Sequence, residues 1–385
     1  MFNALAHVMQ IPALSLSHKS RIMRQTNLRL IILADYSTHA LVPMRFVGPI
    51  KIIGEEVNDS MSVPLATYET PLWPSVSRGA KISRLCGGIS ATLIDERMTR
   101  SILVEAPNAA YALQVSNSLR YRESDLSSVA AGTSRFTQLK TIHTQIVGNL
   151  LYIRLELGTG DASGHNMVTK AADAVMNWIL ECFTELKYVS ISGNFCTDKK
   201  ASAVNGILGR GKYVVAEITI PRAICEKHLR SSPELITELN IKKNLIGTIL
   251  AGSVRSANAH FANMLLGIYL ATGQDVANIV EGSQGIVHAE VKNDALYFSV
   301  TLPNIIVGTV GNGKHLDFVQ DNLRALGCLE TRAAGANSRR LAIIVAAAVL
   351  CGELSLLSAQ TNPGELMRSH ITLERQQGPK TPRSS

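Results

Sequence analysis

The chain has 385 residues, enough for two or three domains, and 46% of them are hydrophobic, which suffices for a large buried core. Only 5% are aromatic, so the apolar residues are mainly aliphatic, which favours helices packed around a sheet over an all-β or disordered chain. The net charge is +8, but Lys and Arg are spread along the sequence without a basic block interleaved with aromatics, so small phosphorylated ligands fit better than a polynucleotide.

We expect neither a membrane nor a metal site. The most apolar run, 341–351, ends at Gly352-Glu353, short of the roughly 20 residues that span a bilayer, and is interpreted as a buried helix. The six cysteines are scattered without a CxxC pair, which is typical of reduced thiols in a reducing compartment. The basic N-terminus has no acidic residue before Asp35; we expect a cytoplasmic location, with the mitochondrial matrix as the alternative.

The first half of the chain predicts an arm, strands and one strong helix. Residues 1–40 form the arm, with a short apolar element at 28–33, and 47–79 predicts strands and turns from its Gly, Pro and β-branched content. The alternation in LLYIRLEL (150–157) predicts a strand. After the glycine-rich segment 158–164 a helix is predicted, whose apolar face comprises Val168, Ala171, Ala172, Val175, Trp178, Ile179 and Phe183.

The second half predicts a polar loop between strands and two long helical regions. A strand at 188–192 leads into the loop 193–200. The longest helical region is predicted to begin near Asn244, with small residues recurring through it. A strand at 297–307 and a helix at 338–360 follow, and the polar segment 376–385 predicts disorder.

Two glycine-rich segments are candidates for phosphate binding, although GxGxxG is absent. GTVGNGK (308–314) has reversed spacing and is interpreted as a turn. DASGHN (161–166) lies between a strand and an amphipathic helix, where backbone N–H groups form an anion site suited to a pyrophosphate. Asp161 is equally well explained as a helix N-cap.

The polar loop SGNFCTDKK (192–200), continued by ASAVNGILGRGK, resembles the hallmark of the hydroxymethylglutaryl-CoA reductase family, in particular its eukaryotic-like class. The resemblance covers roughly residues 45–375, without a membrane anchor. Further segments match in the family's order: ATYETPLWPSVSRG (66–79), MTRSILVEAP (98–107), GTSRF (132–136), GDASGHNMVTK (160–170), KNLIGTILAGSVRSANAHFAN (243–263), TGQDVANIVEGS (272–283), GTVGNGKHL (308–316) and GELMRSH (364–370).

The resemblance implies a two-step reduction of hydroxymethylglutaryl-CoA to mevalonate and coenzyme A with NADPH, NADH being the less favoured donor, in isoprenoid biosynthesis. It implies an α+β fold: a large domain around a long central helix (45–101 and 191–375) that holds substrate and coenzyme A, and an inserted small domain (102–190) that binds NADP. Residues 1–44 would be an arm and 376–385 a disordered tail. It also implies a homodimer or homotetramer with active sites between subunits.

The resemblance assigns four catalytic residues. Lys199 would stabilise the oxyanion that each hydride addition creates. Glu69 would supply a proton, for which burial is favourable. Asp275 would hydrogen-bond to both and couple their titrations. His370 would protonate the departing coenzyme A thiolate, because its unperturbed pKa lies near working pH.

Binding residues follow from the same matches. The substrate set is Arg100, Ser192, Asn194, Lys200 and Lys243, where cations suit a carboxylate. The coenzyme A set is Ser75, Arg78, His260 and Ser369. The nucleotide set is Ser134, Arg135, Phe136, Asp161, Gly164, His165 and Asn166.

Departures from the family pattern leave two alternatives open. The segment that usually opens the catalytic region reads DYSTHALVPMRFVGP, the turn at the glutamate reads YET followed by Pro71 and Pro74, and DASG is followed by His165 where the family has Met. One alternative is a redox-inactive homologue that binds acyl-CoA. The other is an enzyme that oxidises mevalonate with NAD.

Overall fold

Nine strands are joined through hydrogen bonds in the part of the chain that this computed structural model describes, residues 40–368 and Ile371. The predicted element at 28–33 and the predicted disordered tail lie outside the described residues. The strands are β1 (Met44–Ile53), β2 (Asp59–Ala66), β3 (Ile89–Glu105), β4 (Gln138–Val147), β5 (Leu150–Gly158), β6 (Lys187–Ile191), β7 (Gly211–Pro221), β8 (Ile286–Lys292) and β9 (Ala295–Ile305). The main order is β2-β1-β3-β7-β9-β8, while β5 and β6 also pair with β3, and β4 pairs with β5.

Strand β3 connects two hydrophobic cores because its two halves pair with different strands. Residues Ser90–Arg97 pair with β7, and Met98–Glu105 pair with β5, both antiparallel. Charged residues mark the changeover, where the guanidinium of Arg97 pairs with Asp95 and Glu156. The chain thus passes from one core to the other within a single strand.

The helices surround this sheet. They are α1 (Leu72–Leu85), α2 (Ala109–Tyr121), α3 (Glu123–Ala131), α4 (His165–Cys182), α5 (Ala203–Leu208), α6 (Arg222–Ile224), α7 (Pro233–Leu239), α8 (Thr248–Leu250), α9 (Phe261–Ala271), α10 (Ile279–Gly282), α11 (Asp317–Ala325) and α12 (Ala336–Gln360). Two π-helical segments, Cys225–Leu229 and Asn240–Gly247, and a 3₁₀ turn, Val276–Asn278, lie between them. Helices and a mixed sheet together confirm the predicted α+β class.

The larger core surrounds α12, whose central segment, Leu341–Cys351, is apolar on every face. Residues Leu341–Cys351 are all fully buried, as expected for a helix without a polar face. Helix α1 packs against it so closely that a Cβ on Gly79 would lie 2.2 Å from the carbonyl oxygen of Cys351. Any larger residue at position 79 would force the two helices apart.

The second core is built by β3–β5 and α2–α4. Its buried residues run from Met98 to Leu186, with Ile306 added from the segment after β9. The apolar face predicted for α4 faces this core, with Trp178 and Phe183 only partly buried. The segment overlaps the predicted inserted domain, 102–190, whose independence as a domain stays a prediction.

Two sequence-based expectations were wrong, and a third was right in part. Residues 72–79 begin helix α1, because proline is tolerated at a helix start: Pro71 is the N-cap residue and Pro74 lies in the first turn. The helical region predicted to begin near Asn244 instead begins at Pro233 and ends at Leu250, beyond which Gly252 and Arg255 adopt left-handed backbone conformations; the longest described helix is α12. The run 341–351 was judged too short to span a bilayer, but within the described ranges it belongs to α12, which is long and apolar enough to do so, with mean hydropathy 2.3. Since 94% of that apolar window is buried in the protein, the interpretation as a buried helix is confirmed.

Candidate active site

The lysine loop (192–200) has a backbone that its surroundings must hold in place. Asn194, Thr197 and Lys199 have φ of 59°, 54° and 55°, in the left-handed region that costs a side-chain-bearing residue roughly 1–2 kcal/mol. The amide of Asn205 donates to the carbonyl oxygens of Thr197 (2.9 Å) and Lys200 (3.1 Å), and the Thr99 hydroxyl donates to that of Cys196 (3.0 Å). These hydrogen bonds offset the free-energy cost of the left-handed backbone conformations.

Lys199 and Asp275 form an ion pair, with 2.8 Å between Nζ and Oδ2. Its hydrogen bond to Asp275 raises the pKa of Lys199. Burial acts to raise the pKa of Asp275, but the hydrogen bonds from Lys199 and from the Ala277 backbone N–H outweigh it and lower that pKa. Both groups are therefore charged at neutral pH. The ammonium is held at the wall of a cleft, here called the lysine cleft.

The lysine cleft has a volume of about 470 Å³ and brings predicted substrate and nucleotide residues together. It is lined by Arg100, Ala162, Ser163, Gly164, His165, Asn166, Met167, Asp198, Lys199, Gly273, Asp275, Val310, Gly311, Asn312 and Lys314. Burial lowers the pKa of His165, and nearby Arg210 lowers it further. Burial also lowers the pKa of Lys314 to about 8. The predicted turn 308–314 thus forms one wall of the cleft.

The nucleotide segment presents a helix N-terminus to this cleft, but not through Asp161. The Asp161 carboxylate accepts from the backbone N–H groups of Gly335 and Ser338, both at 3.0 Å, so it caps α12 instead of α4. Helix α4 begins after Gly164, whose φ is 97°, without a side-chain cap. Backbone N–H groups at the start of this 18-residue helix are therefore available to an anion.

The remaining predicted nucleotide residues, Ser134, Arg135 and Phe136, are not part of the lysine cleft. They lie between α3 and β4, where the Arg135 guanidinium stacks 4.6 Å from the centre of the Phe136 ring. Their predicted contact with the nucleotide stays a prediction.

A second cavity, the glutamate pocket, holds Glu69 and the predicted coenzyme A residues. Its volume is about 410 Å³, and its lining includes Ser75, Arg78, His260 and Asn263. Asn263 donates to Glu69 Oε2 at 2.9 Å. Glu69 is exposed, so a single chain does not provide the burial that its predicted proton-donor role favours.

Two carboxylates, the buried Glu353 and the half-buried Glu365, hold side chains of this pocket in place. His260 Nδ1 lies 2.7 Å from Oε1 of Glu353, a fully buried residue of α12. Arg78 contacts Glu365 Oε1 at 3.1 Å and donates through Nε to the Ser355 hydroxyl at 3.0 Å. Burial lowers the pKa of Arg78, and Glu365 opposes that effect.

The other predicted substrate residues that the structure describes line neither cavity. Ser192 Oγ lies 2.9 Å from Cys196 Sγ, Asn194 is exposed, and Lys200 Nζ donates to the Asp198 carbonyl at 3.1 Å. Lys243 lies in the π-helical segment Asn240–Gly247. Burial lowers the pKa of Lys243, although the negative charge of Glu353 acts to raise it. Ser369 and His370 lie outside the described residues.

Within one chain the structure brings Lys199 and Asp275 together and places Glu69 in the other cavity. The expected arrangement, in which the lysine and the glutamate of one site come from different subunits, stays a prediction. Arg210 and Glu281, which contact the lysine loop, were missed by the sequence analysis. The only indication in the sequence was that Arg210 lies in the segment GRGK and Glu281 in the segment VEGS, both of which belong to the matched motifs.

Comparison with known proteins identifies the family. Residues 35–375 match the family model for hydroxymethylglutaryl-coenzyme A reductase. The chain is 46% identical over 337 residues to the 3-hydroxy-3-methylglutaryl-coenzyme A reductase of Pyrococcus horikoshii, covering 87% of this chain and 81% of that one. It is 43% identical over 339 residues to that of Methanocaldococcus jannaschii, covering 87% and 82%.

Solved structures support the fold. One is described as the class II 3-hydroxy-3-methylglutaryl-CoA reductase from Streptococcus pneumoniae bound to NADPH in open conformations. It matches with a TM-score of 0.67 and 18% identity over 91% of this chain and 94% of that one. With the family model matching most of the sequence, this chain belongs to the hydroxymethylglutaryl-CoA reductase family.

Proposed function

We propose that this chain reduces 3-hydroxy-3-methylglutaryl-CoA to mevalonate and free coenzyme A with two equivalents of NADPH. The first hydride adds to the thioester carbonyl carbon and gives a hemithioacetal, which loses the thiolate to form an aldehyde. The second hydride adds to that aldehyde carbon and, with a proton, gives the alcohol. Two protons are consumed, one on the thiolate and one on the final alkoxide.

The observation that carries this proposal is the Lys199–Asp275 ion pair at the wall of the lysine cleft. Each hydride addition creates negative charge on the former carbonyl oxygen, and a fixed ammonium beside that oxygen lowers the barrier. Asp275 holds the ammonium in position and keeps it protonated. An ammonium that is already oriented before the reaction needs little reorganisation when the charge appears.

The residues of the lysine cleft fit a dinucleotide phosphate. The N-terminus of α4 opens on the cleft, and Arg100 and Lys314 add cationic side chains to the lining. NADPH, when bound, would supply hydride to the acyl carbon. The chain's own part is to hold the pyrophosphate at these N–H groups and to keep the acyl oxygen near Lys199.

A second copy of the chain would complete the site by bringing its Glu69 to Lys199. Exposed apolar side chains support such an association: Ile246, Ile249 and Leu250 are 57, 78 and 87% exposed. In the assembled site Asn263 orients the Glu69 carboxyl for proton transfer to the oxyanion. Coenzyme A would occupy the glutamate pocket, with His370 protonating its thiolate.

The test is an initial-rate comparison of NADPH and NADH with hydroxymethylglutaryl-CoA, followed by nicotinamide absorbance. We expect turnover with both products formed and a higher kcat/KM for NADPH. Coenzyme A binding without any absorbance change, even in a single turnover, would instead indicate a redox-inactive homologue. Faster reaction of mevalonate, coenzyme A and NAD than of the reductive mixture would indicate the oxidative direction.

A further inference from the structure

Glu281 is a fully buried carboxylate that contacts the backbone of the proposed catalytic lysine. Its Oε1 accepts from the Lys199 backbone N–H at 3.1 Å and from the Asn278 amide at 2.9 Å. Glu281 comes from α10, 82 residues away in sequence. Since Lys199 has left-handed backbone geometry, this hydrogen bond acts on the part of the residue that determines where its side chain points.

Arg210 connects the same carboxylate to the neighbouring loop residue. Its NH1 lies 2.7 Å from Glu281 Oε1, and its NH2 lies 2.8 Å from Asp198 Oδ1. The side chains of Arg210 and Glu281 are both 0% exposed. One buried ion pair therefore holds the side chain of residue 198 and the backbone of residue 199 at once.

We infer that Arg210 and Glu281 are positioning residues for Lys199: they hold its backbone in the left-handed conformation from which its ammonium reaches Asp275. This inference rests on the proposed function, since it takes Lys199 as the oxyanion-stabilising group. Neither residue lines the lysine cleft, so they act through the loop and not on the substrate. The Lys199 side chain is 41% exposed and has little packing of its own, which leaves its backbone as the main determinant of its position.

Burial explains why the positioning pair, Arg210 and Glu281, needs both of its charges. Burial raises the pKa of Glu281, and the charge of Arg210 opposes that effect. A neutral residue at 281 would leave the buried guanidinium with Asp198 as its remaining anionic contact. A buried charge that loses its partner is strongly destabilising, so the loop would rearrange to relieve it.

Two substitutions separate the hydrogen bond from the charge. Glu281→Gln keeps an oxygen where Oε1 accepts and places its amide at Oε2, which has no hydrogen-bond partner among the described residues. Glu281→Ala removes both. Glu56→Gln is the control, because it breaks a half-buried ion pair with Arg339 (2.7 Å) that lies outside both cavities.

We expect kcat to fall about 100-fold in Glu281→Ala and about tenfold in Glu281→Gln, with KM for hydroxymethylglutaryl-CoA within about threefold, since misplacement of a catalytic group by about 1 Å has effects of this size. The control should keep its kcat. In the background of Lys199→Met, adding Glu281→Ala should cause no further loss, because both changes remove the same interaction. Full kcat in folded Glu281→Ala, or multiplied losses in the double variant, would overturn the inference.

Amide hydrogen exchange of the peptide containing residues 192–200 provides a readout that does not depend on activity. Glu281→Ala should speed exchange in this peptide relative to the wild type, and Glu56→Gln should not. Unchanged exchange would overturn the inference. An inactive wild type would refute the proposed function instead. Amide hydrogen exchange would then still test whether Arg210 and Glu281 hold the lysine loop. If Glu281→Ala does not fold, Glu281→Gln carries both measurements.

Discussion

Replacing Lys314 with methionine should remove one contribution to the pH dependence of stability between pH 7 and pH 10. The Lys314 side chain is nearly buried in the wall of the lysine cleft, and its ammonium donates to the Gly273 carbonyl. Burial lowers its pKa from 10.5 to about 8. Between these two values the unfolded chain binds a proton that the folded chain does not, so raising the pH favours the fold.

The size of the effect follows from the shift. A difference of 2.5 pKa units, 10.5 minus 8, corresponds to about 3 kcal/mol in full. Over the accessible window from pH 7 to pH 10, the wild type should gain about 2.5 kcal/mol relative to Lys314→Met. Taking the difference between the free energies of unfolding of the two proteins cancels the titration of all groups that they share.

Urea unfolding at pH 7 and pH 10 measures this difference. Both proteins must be compared at one concentration, because the stability of an oligomer depends on protomer concentration. The free energy of unfolding of the wild type should rise relative to that of Lys314→Met as the pH increases. Stability curves that stay parallel within about 0.5 kcal/mol would refute the buried-ammonium explanation.

Three further predictions concern the proposed reaction. Asp275→Asn removes the hydrogen-bonding anion that raises the pKa of Lys199, so the alkaline limb of the kcat/KM profile should move to lower pH; an unmoved limb would contradict the pairing. Arg78→Ala should raise KM for hydroxymethylglutaryl-CoA about tenfold, the size of a lost charge-assisted hydrogen bond, with kcat nearly constant; a fall in kcat alone would argue against a binding role. His370→Gln should slow reduction of the thioester but spare reduction of added mevaldehyde, and equal loss of both would exclude it as the thiolate acid.

The resemblance named residues that the structure brings together in two cavities, because those residues lie in segments that match the family's order. Their roles stay predictions. The lysine loop and the segment 272–283 placed Lys199 and Asp275, and the structure pairs them. Segments 66–79 and 243–263 placed Glu69 and His260, which share the glutamate pocket. Helix α4 followed directly from periodicity, because it buries one regular face. Strand β5 followed from its alternation of apolar and polar residues, although Arg154 and Glu156 on its polar face are buried as well.

Long-range polar contacts could not be predicted in the same way. Asp161 caps a helix whose N-cap, Gly335, lies 174 residues later, and no local pattern indicates that partner. Glu281 lies in a short helix where a carboxylate is ordinarily solvent-exposed, and only the fold turns it towards Arg210. Helix α1 was missed because the prolines at its start, Pro71 and Pro74, are also typical of the turns between strands.

The most direct test of the central claim is the single-turnover rate of Lys199→Met, which keeps the length of the side chain and removes its charge. With coenzyme A binding and thermal stability unchanged, hydride transfer should slow about 10²–10³-fold, as for loss of a preorganised oxyanion contact. A rate within about tenfold of the wild type would contradict the role of Lys199 as the group that stabilises the alkoxide.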